Sequence, residues 1–176
     1  HNLNKLDMTQ LHLAEDCYQY AIKMQNHPVL LNGLGFLYND MSDQPDSEDK
    51  ILLLDKSLAC HQAALVYDTQ DPNTQHGIGL TLYKREKHRF SESQTVKTDN
   101  LDLALLSLSF AQQRKPNARL CLDKAAVYLL LNDKKSALAC LNQGLIIDPH
   151  HPLLLYQRGC FFLENKLFFL LQKFDL

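Results

Sequence analysis

Eight histidines, five cysteines and one short run of bases are the residues of this chain that could carry chemistry. A metal site on a helix needs ligands three or four residues apart, so that both point from one face. No two of the histidines have that spacing: His150 and His151 fall in a turn, His61 and His76 on helical stretches, and His1 at the terminus. The cysteines, at 17, 60, 121, 140 and 160, form no Cys-x-x-Cys pair. Several lie on apolar stripes, which reads as free, buried thiols in a reducing intracellular compartment, cytoplasmic or nuclear. No His-Glu-x-x-His, Gly-x-Ser-x-Gly or glycine-rich phosphate loop is present. Gly77-Ile78-Gly79 sits within a helical pattern and reads as a close-packing pair. Lys84-Arg85-Glu86-Lys87-His88-Arg89 reads as a solvated helix end rather than an anion site, because bases favour helix C-termini. No catalytic residue, metal or cofactor is therefore expected, and the chain reads as a non-enzyme.

The elements that hold these residues follow a repeated spacing. Small residues seven apart flank a larger one in Ala14/Tyr18/Ala21, Ser57/His61/Ala64, Ala104/Leu108/Ala111 and Ala137/Leu141/Gly144. Each set is followed 14 or 15 residues later by a second small residue with a large one three further on: Gly35 and Tyr38, Gly79 and Leu82, Ala125 and Tyr128, Gly159 and Phe162. The interval from each of these to the next set is irregular, at 22, 25 and 12 residues, so insertions fall at one type of turn only. Residues four and seven apart share a helix face, and small side chains there let another helix approach closely. The pair His27-Pro28 also recurs as His151-Pro152, seven residues before Gly35 and Gly159.

The pattern resembles the tetratricopeptide repeat (TPR), a helix-turn-helix unit of roughly 34 residues. The nearest copy is 118–149, with Ala125, Tyr128, Ala137, Leu141, Gly144 and Asp148-Pro149 at the family's small, aromatic, small, large, small and proline positions. Ser57 and His61 stand where the family has alanine and an aromatic, and no tryptophan occurs. The resemblance implies an all-α, right-handed superhelix over residues 1–176 as a single domain. Its pieces would be an unpaired helix at 4–25, units at 28–69, 72–115 and 118–147, and an incomplete unit at 152–176.

Along the chain, Ser47 with Glu48 and Asp49 is expected to cap a helix reaching Thr69. Another runs from Pro72 to Lys87, and residues 90–98 read as a mobile loop. Helices are expected at 28–39, 101–114, 118–131, 134–147 and 152–164. Residues 165–176 are apolar nearly all round. They read either as a covered terminal helix or as a second docking surface at Phe168 and Phe169 for a partner or a second copy.

Bulk properties fit this reading. The hydrophobic share of 45% and charged share of 22% are ordinary globular values, and six glycines with six prolines leave little for a β-rich fold. A net charge of −2 supplies no field for nucleic acid. No secretory leader is read at the start, and no apolar run approaches the ~20 residues that span a bilayer.

In the family the first helix of each pair lines a concave face. The resemblance places that face at Asn32, Phe36 and Asn39, at His76, Leu80 and Tyr83, at Arg119, Leu122, Ala126 and Leu129, and at Tyr156, Cys160 and Leu163. Members that clamp a partner's terminal carboxylate use lysine, arginine and asparagine there. This chain offers Asn32, Phe36, Gly77 and Asp123, so no such clamp is expected. The expected function is a protein-interaction scaffold that takes a peptide or helix of a partner in an apolar groove, within a larger complex. An enzyme or enzyme-regulatory subunit with a site assembled from separate helices is the alternative, and a helical-repeat nucleic-acid binder the third.

Overall fold

The computed structural model describes residues 8–45, 47 and 49–174, with side-chain surroundings up to residue 164. The described residues form eight helices and no strand. They are α1 (Met8–Met24), α2 (Pro28–Ser42), α3 (Lys50–Leu65), α4 (Pro72–Ser93), α5 (Thr98–Arg114), α6 (Ala118–Leu130), α7 (Lys134–Ile147) and α8 (Pro152–Phe174). None is long and apolar enough, among the described residues, to cross a membrane.

Local chemistry sets the helix starts. Backbone N–H groups of the first turn need acceptors, and six side chains supply them. His27 accepts from Val29, Asp49 from Leu52, Asp71 from Asn73 and Thr74, Asn117 from Arg119, Asp133 from Ser136 and His151 from Leu154. The recurring His-Pro pair thus has one job at both sites: imidazole Nδ1 as acceptor, then a proline that needs none. The cap of α3 is Asp49 rather than Ser47, and α3 ends at Leu65, four residues short of the expected Thr69.

The chain divides into two compact units, residues 1–111 and 112–176. In the first, α1 packs on α2, α2 on α3 and α3 on α4, and α2 also reaches α4. Its apolar centre is Leu11, Leu34, Leu37, Tyr38 and Met41, closed by Ala14, Tyr18, Ile22, Leu53 and Cys60. In the second, α6 packs on α7 and α7 on α8, and α6 also meets α8. Ala118, Ala125, Cys140, Leu141, Leu145 and Leu154 form that core, with Leu122 and Tyr128 against it.

The small residues are close-approach points at three of the four glycines in the repeated pattern. A Cβ on Gly35 would lie 2.6 Å from the His61 ring, one on Gly79 2.9 Å from the Ala104 carbonyl, and one on Gly144 2.6 Å from Leu154. Gly159 differs, because nothing lies within 4 Å of its Cβ position. Spacing alone does not create a contact.

The expected loop at 90–98 is mostly helix. α4 continues to Ser93, and Gln94 closes it in the left-handed region at φ 55°, with its N–H on the Phe90 carbonyl. Only residues 94–97 link α4 to α5, and they are tied down. Lys97 N–H donates to Glu86 Oε2 at 2.8 Å, and the Asn100 amide donates to Glu86 Oε1 at 2.7 Å. Glu86 is 0% exposed. Burial alone would raise its carboxyl pKa, but these bonds and the Arg89 guanidinium outweigh it and hold the pKa below the ordinary value. A charged residue inside a basic run gave no sign in the sequence of being the fastener of a helix junction.

The basic run is not a solvated end either. Lys84 pairs with Asp43 at 2.8 Å, Arg85 with Asp55 at 2.9 Å and Arg89 with Glu86 at 2.6 Å. The first two stitch α4 to the end of α2 and to α3. Two further expectations shift in length: α2 runs to Ser42 rather than residue 39, and α8 continues unbroken from residue 152 to Phe174.

Candidate functional site

Helix α2 borders two concavities. Pro28, Val29, Asn32, Gly33 and Phe36 on α2, with Ala64 at the end of α3 and Asp68, Asp71, Asn73 and Thr74 leading into α4, line a cavity of about 420 Å³. A second, of about 490 Å³, lies on the α1 side and is lined by Gln10, Leu11, Ala14, Tyr18, Gly33, Phe36, Leu37 and Asp40. Phe36 and Gly33 belong to both, so the two adjoin along one face of α2. Val29, Gly33, Phe36 and Asp40 follow the three- and four-residue spacing that puts them on that face. Both volumes fall in the range of about 300–1,000 Å³ typical of ligand pockets.

The floor beneath Asn32 is a polar network with its partners made internally. Asn32 Nδ2 donates to Thr74 Oγ1 at 2.6 Å and to Asp71 Oδ2 at 3.1 Å, and His61 Nδ1 meets Asn32 Oδ1 at 3.0 Å. Thr74 donates its hydroxyl and its N–H to Asp71. Burial alone would raise the Asp71 pKa, but the Thr74, Asn73 and Asn32 hydrogen bonds outweigh it, so the carboxylate titrates below its usual range. One layer deeper, Ser57 donates to the Gly35 carbonyl and shares a hydrogen bond with Thr81, whose Oγ1 also accepts from Asn39.

His61 is 0% exposed, enclosed by Gly35, Gly77 and the edge of Phe36 at 4.9 Å between ring centroids. Its Nε2 has no hydrogen-bond partner. Burial, with His76 nearby, pushes its pKa down to about 4 from 6.5, so the native ring is neutral. The unfolded chain therefore binds a proton first as pH falls, and the stabilisation present above pH 6.5 drains away toward pH 4. Wild type is expected to lose on the order of 3 kcal/mol through this group over that window. Urea melts across pH 4–7 on wild type and His61→Gln check it. The variant, less stable at pH 7, should show a shallower acid-side fall, and parallel curves would refute the assignment.

The residues expected to form a groove separate into classes. Asn32 and Phe36 line the cavities, and His76 stacks tilted on Phe36 at 5.7 Å. Asn39 and Leu80, at 1% and 8% exposure, are interior residues rather than groove contacts, because α2 and α4 meet along that edge. Tyr83 is half-buried. In the second unit Leu122 joins the core and Ala126 is half-buried, while Leu129, Tyr156 and Leu163 are exposed and Cys160 is half-buried. Arg119 is turned to Asp123, with Nε 3.1 Å from the carboxylate. The side chains of Phe168 and Phe169 lie outside the described residues. Asp68 and Asp71 were missed as cavity residues, although the Asp71-Pro72 pair marked the start of α4.

Among the described residues no group of three His, Cys, Asp or Glu side chains is placed to hold a metal ion. Cys17, Cys60, Cys121, Cys140 and Cys160 are free thiols, and burial pushes the Cys60 pKa up to about 11, where it is a poor nucleophile. No protein-family model matches the chain, and no curated protein matches it in sequence.

Proposed function

We propose that this chain is a non-catalytic protein-interaction scaffold of TPR-like helix pairs, a right-handed superhelical repeat that binds a segment of a partner protein along α2. The observation that carries this reading is the pair of adjoining cavities sharing Phe36 and Gly33, partly open and lined largely by apolar groups. A recognition groove for an extended or helical segment needs such adjacent side-chain pockets on a rigid wall. The hydrogen bonds beneath Asn32 supply the rigidity. His61, the buried imidazole nearest the floor, packs and does not face solvent.

Large side chains at the centre of an interface carry most of its energy. Phe36→Ala is expected to weaken a bound segment by about 1 to 3 kcal/mol, and Tyr83→Ala, farther along the face expected from the resemblance, to weaken it less. Titration calorimetry with a peptide selected on the wild-type chain measures both, with circular dichroism to show that helix content holds. Equal affinity for wild type and Phe36→Ala moves the binding surface away from α2.

A further inference from the structure

The cavity pair has a charge pattern that names its occupant more closely. The linings contain three carboxylates, Asp40, Asp68 and Asp71, and no lysine, arginine or histidine. Three bases of the run on α4 are paired elsewhere: Lys84 with Asp43, Arg85 with Asp55 and Arg89 with Glu86. Asp71 meets neutral donors only, from Asn32, Asn73 and Thr74, which fix its position without cancelling its charge. Asp68 stands exposed at the rim and accepts one bond, from Gln70 N–H at 2.8 Å. The same lining as Asp68 and Asp71 includes the apolar side chains of Pro28, Val29, Ala64 and Phe36.

Such a lining suits the aliphatic stem of a long basic side chain, and the Phe36 ring and the carboxylates suit its charged head. The cavity on the α1 side has Leu11, Ala14, Tyr18 and Leu37 in its lining and suits an apolar side chain. We propose, on the basis of the scaffold reading above, that the groove on α2 selects a partner peptide in which an arginine or lysine neighbours a large apolar residue. The basic side chain enters beside Asp68 and Asp71, and its apolar neighbour fills the cavity across Phe36. An acidic peptide or a nucleic-acid backbone meets the like charge of Asp68 and Asp71 at the same place.

The test is selection of a random-peptide phage library on the full chain, followed by fluorescence polarisation with the synthesised winners. The expected winners carry Arg or Lys beside Leu, Ile, Met or Phe. Their affinity should fall about tenfold or more in Asp68→Lys and decline with added NaCl. Asp68 is exposed and bonds only its own turn, so the thermal melt of that variant should match wild type. Asp71→Asn, which can still cap α4, gives an independent charge removal and should weaken binding in the same direction. Winners without a base that still depend on Phe36, or binding indifferent to both aspartate variants, overturn the inference and leave the scaffold reading intact. Failure to select any Phe36-dependent peptide removes both. Free arginine amide binding as tightly as the peptides overturns the peptide assignment in favour of a small cation.

Discussion

Glu86→Ala is expected to destabilise the first unit by about 3 kcal/mol, the largest effect of any single side chain outside its apolar core. The carboxylate is fully buried and accepts from the Lys97 main-chain N–H, the Asn100 amide and the Arg89 guanidinium. Removing it takes the acceptor from all three donors at a helix junction and leaves a void where the side chain stood. Lys97→Ala should be near neutral, since only the backbone of that residue bonds Glu86. A lowered carboxyl pKa adds a sign: the contribution is present above the unfolded value near 4.5 and is lost as pH falls through the native one. Glu86→Gln should therefore cost stability at pH 7 and flatten the fall in stability as pH drops below about 4.5. Limited trypsin digestion gives a second readout. Cleavage after Lys97 should be slow in wild type and become the first cut in Glu86→Ala. Early cutting there in wild type would mean that the carboxylate does not hold the junction.

Gly77→Ala is expected to lower the stability of the same unit by about 2 kcal/mol, net of the roughly 1 kcal/mol that alanine normally gains over glycine in a helix. The added methyl would run into the His61 ring, which has little room to retreat: Gly35 also packs against it, Phe36 lies against it and Asn32 holds Nδ1. Gly159→Ala is the control, because nothing lies within 4 Å of its Cβ position and its φ is not positive. It should stabilise α8 slightly, by up to about 1 kcal/mol. Adding His61→Ala to Gly77→Ala should recover part of the loss, giving a coupling energy well above the additive limit of about 0.5 kcal/mol. Denaturant midpoints for the four variants decide it. Additive behaviour would separate Gly77 from His61.

What the sequence by itself determined is local. The helices began where caps and prolines placed them, because a cap acts within three residues of itself and needs no distant partner: His27-Pro28, Asp71-Pro72, Asn117 and His151-Pro152 are each followed by a helix. The spacing of small residues also gave the close approaches at Gly35, Gly79 and Gly144, since a residue without bulk on a helix face has few other uses there. What depended on distant chain was hidden. Glu86 in a basic run and Asn39 on a polar-looking face become interior because acceptors and donors arrive from elsewhere, the Lys97 amide and Thr81 among them. Gly159 obeys the spacing yet touches nothing, and the Lys84–Arg89 run, solvated by its composition, is drawn down onto Asp43, Asp55 and Glu86. Asp68 and Asp71 became cavity residues only when the ends of α3 and α4 came to rest beside α2. A side chain's partner is a property of the packed helices, and local pattern carries no record of which helix will supply it.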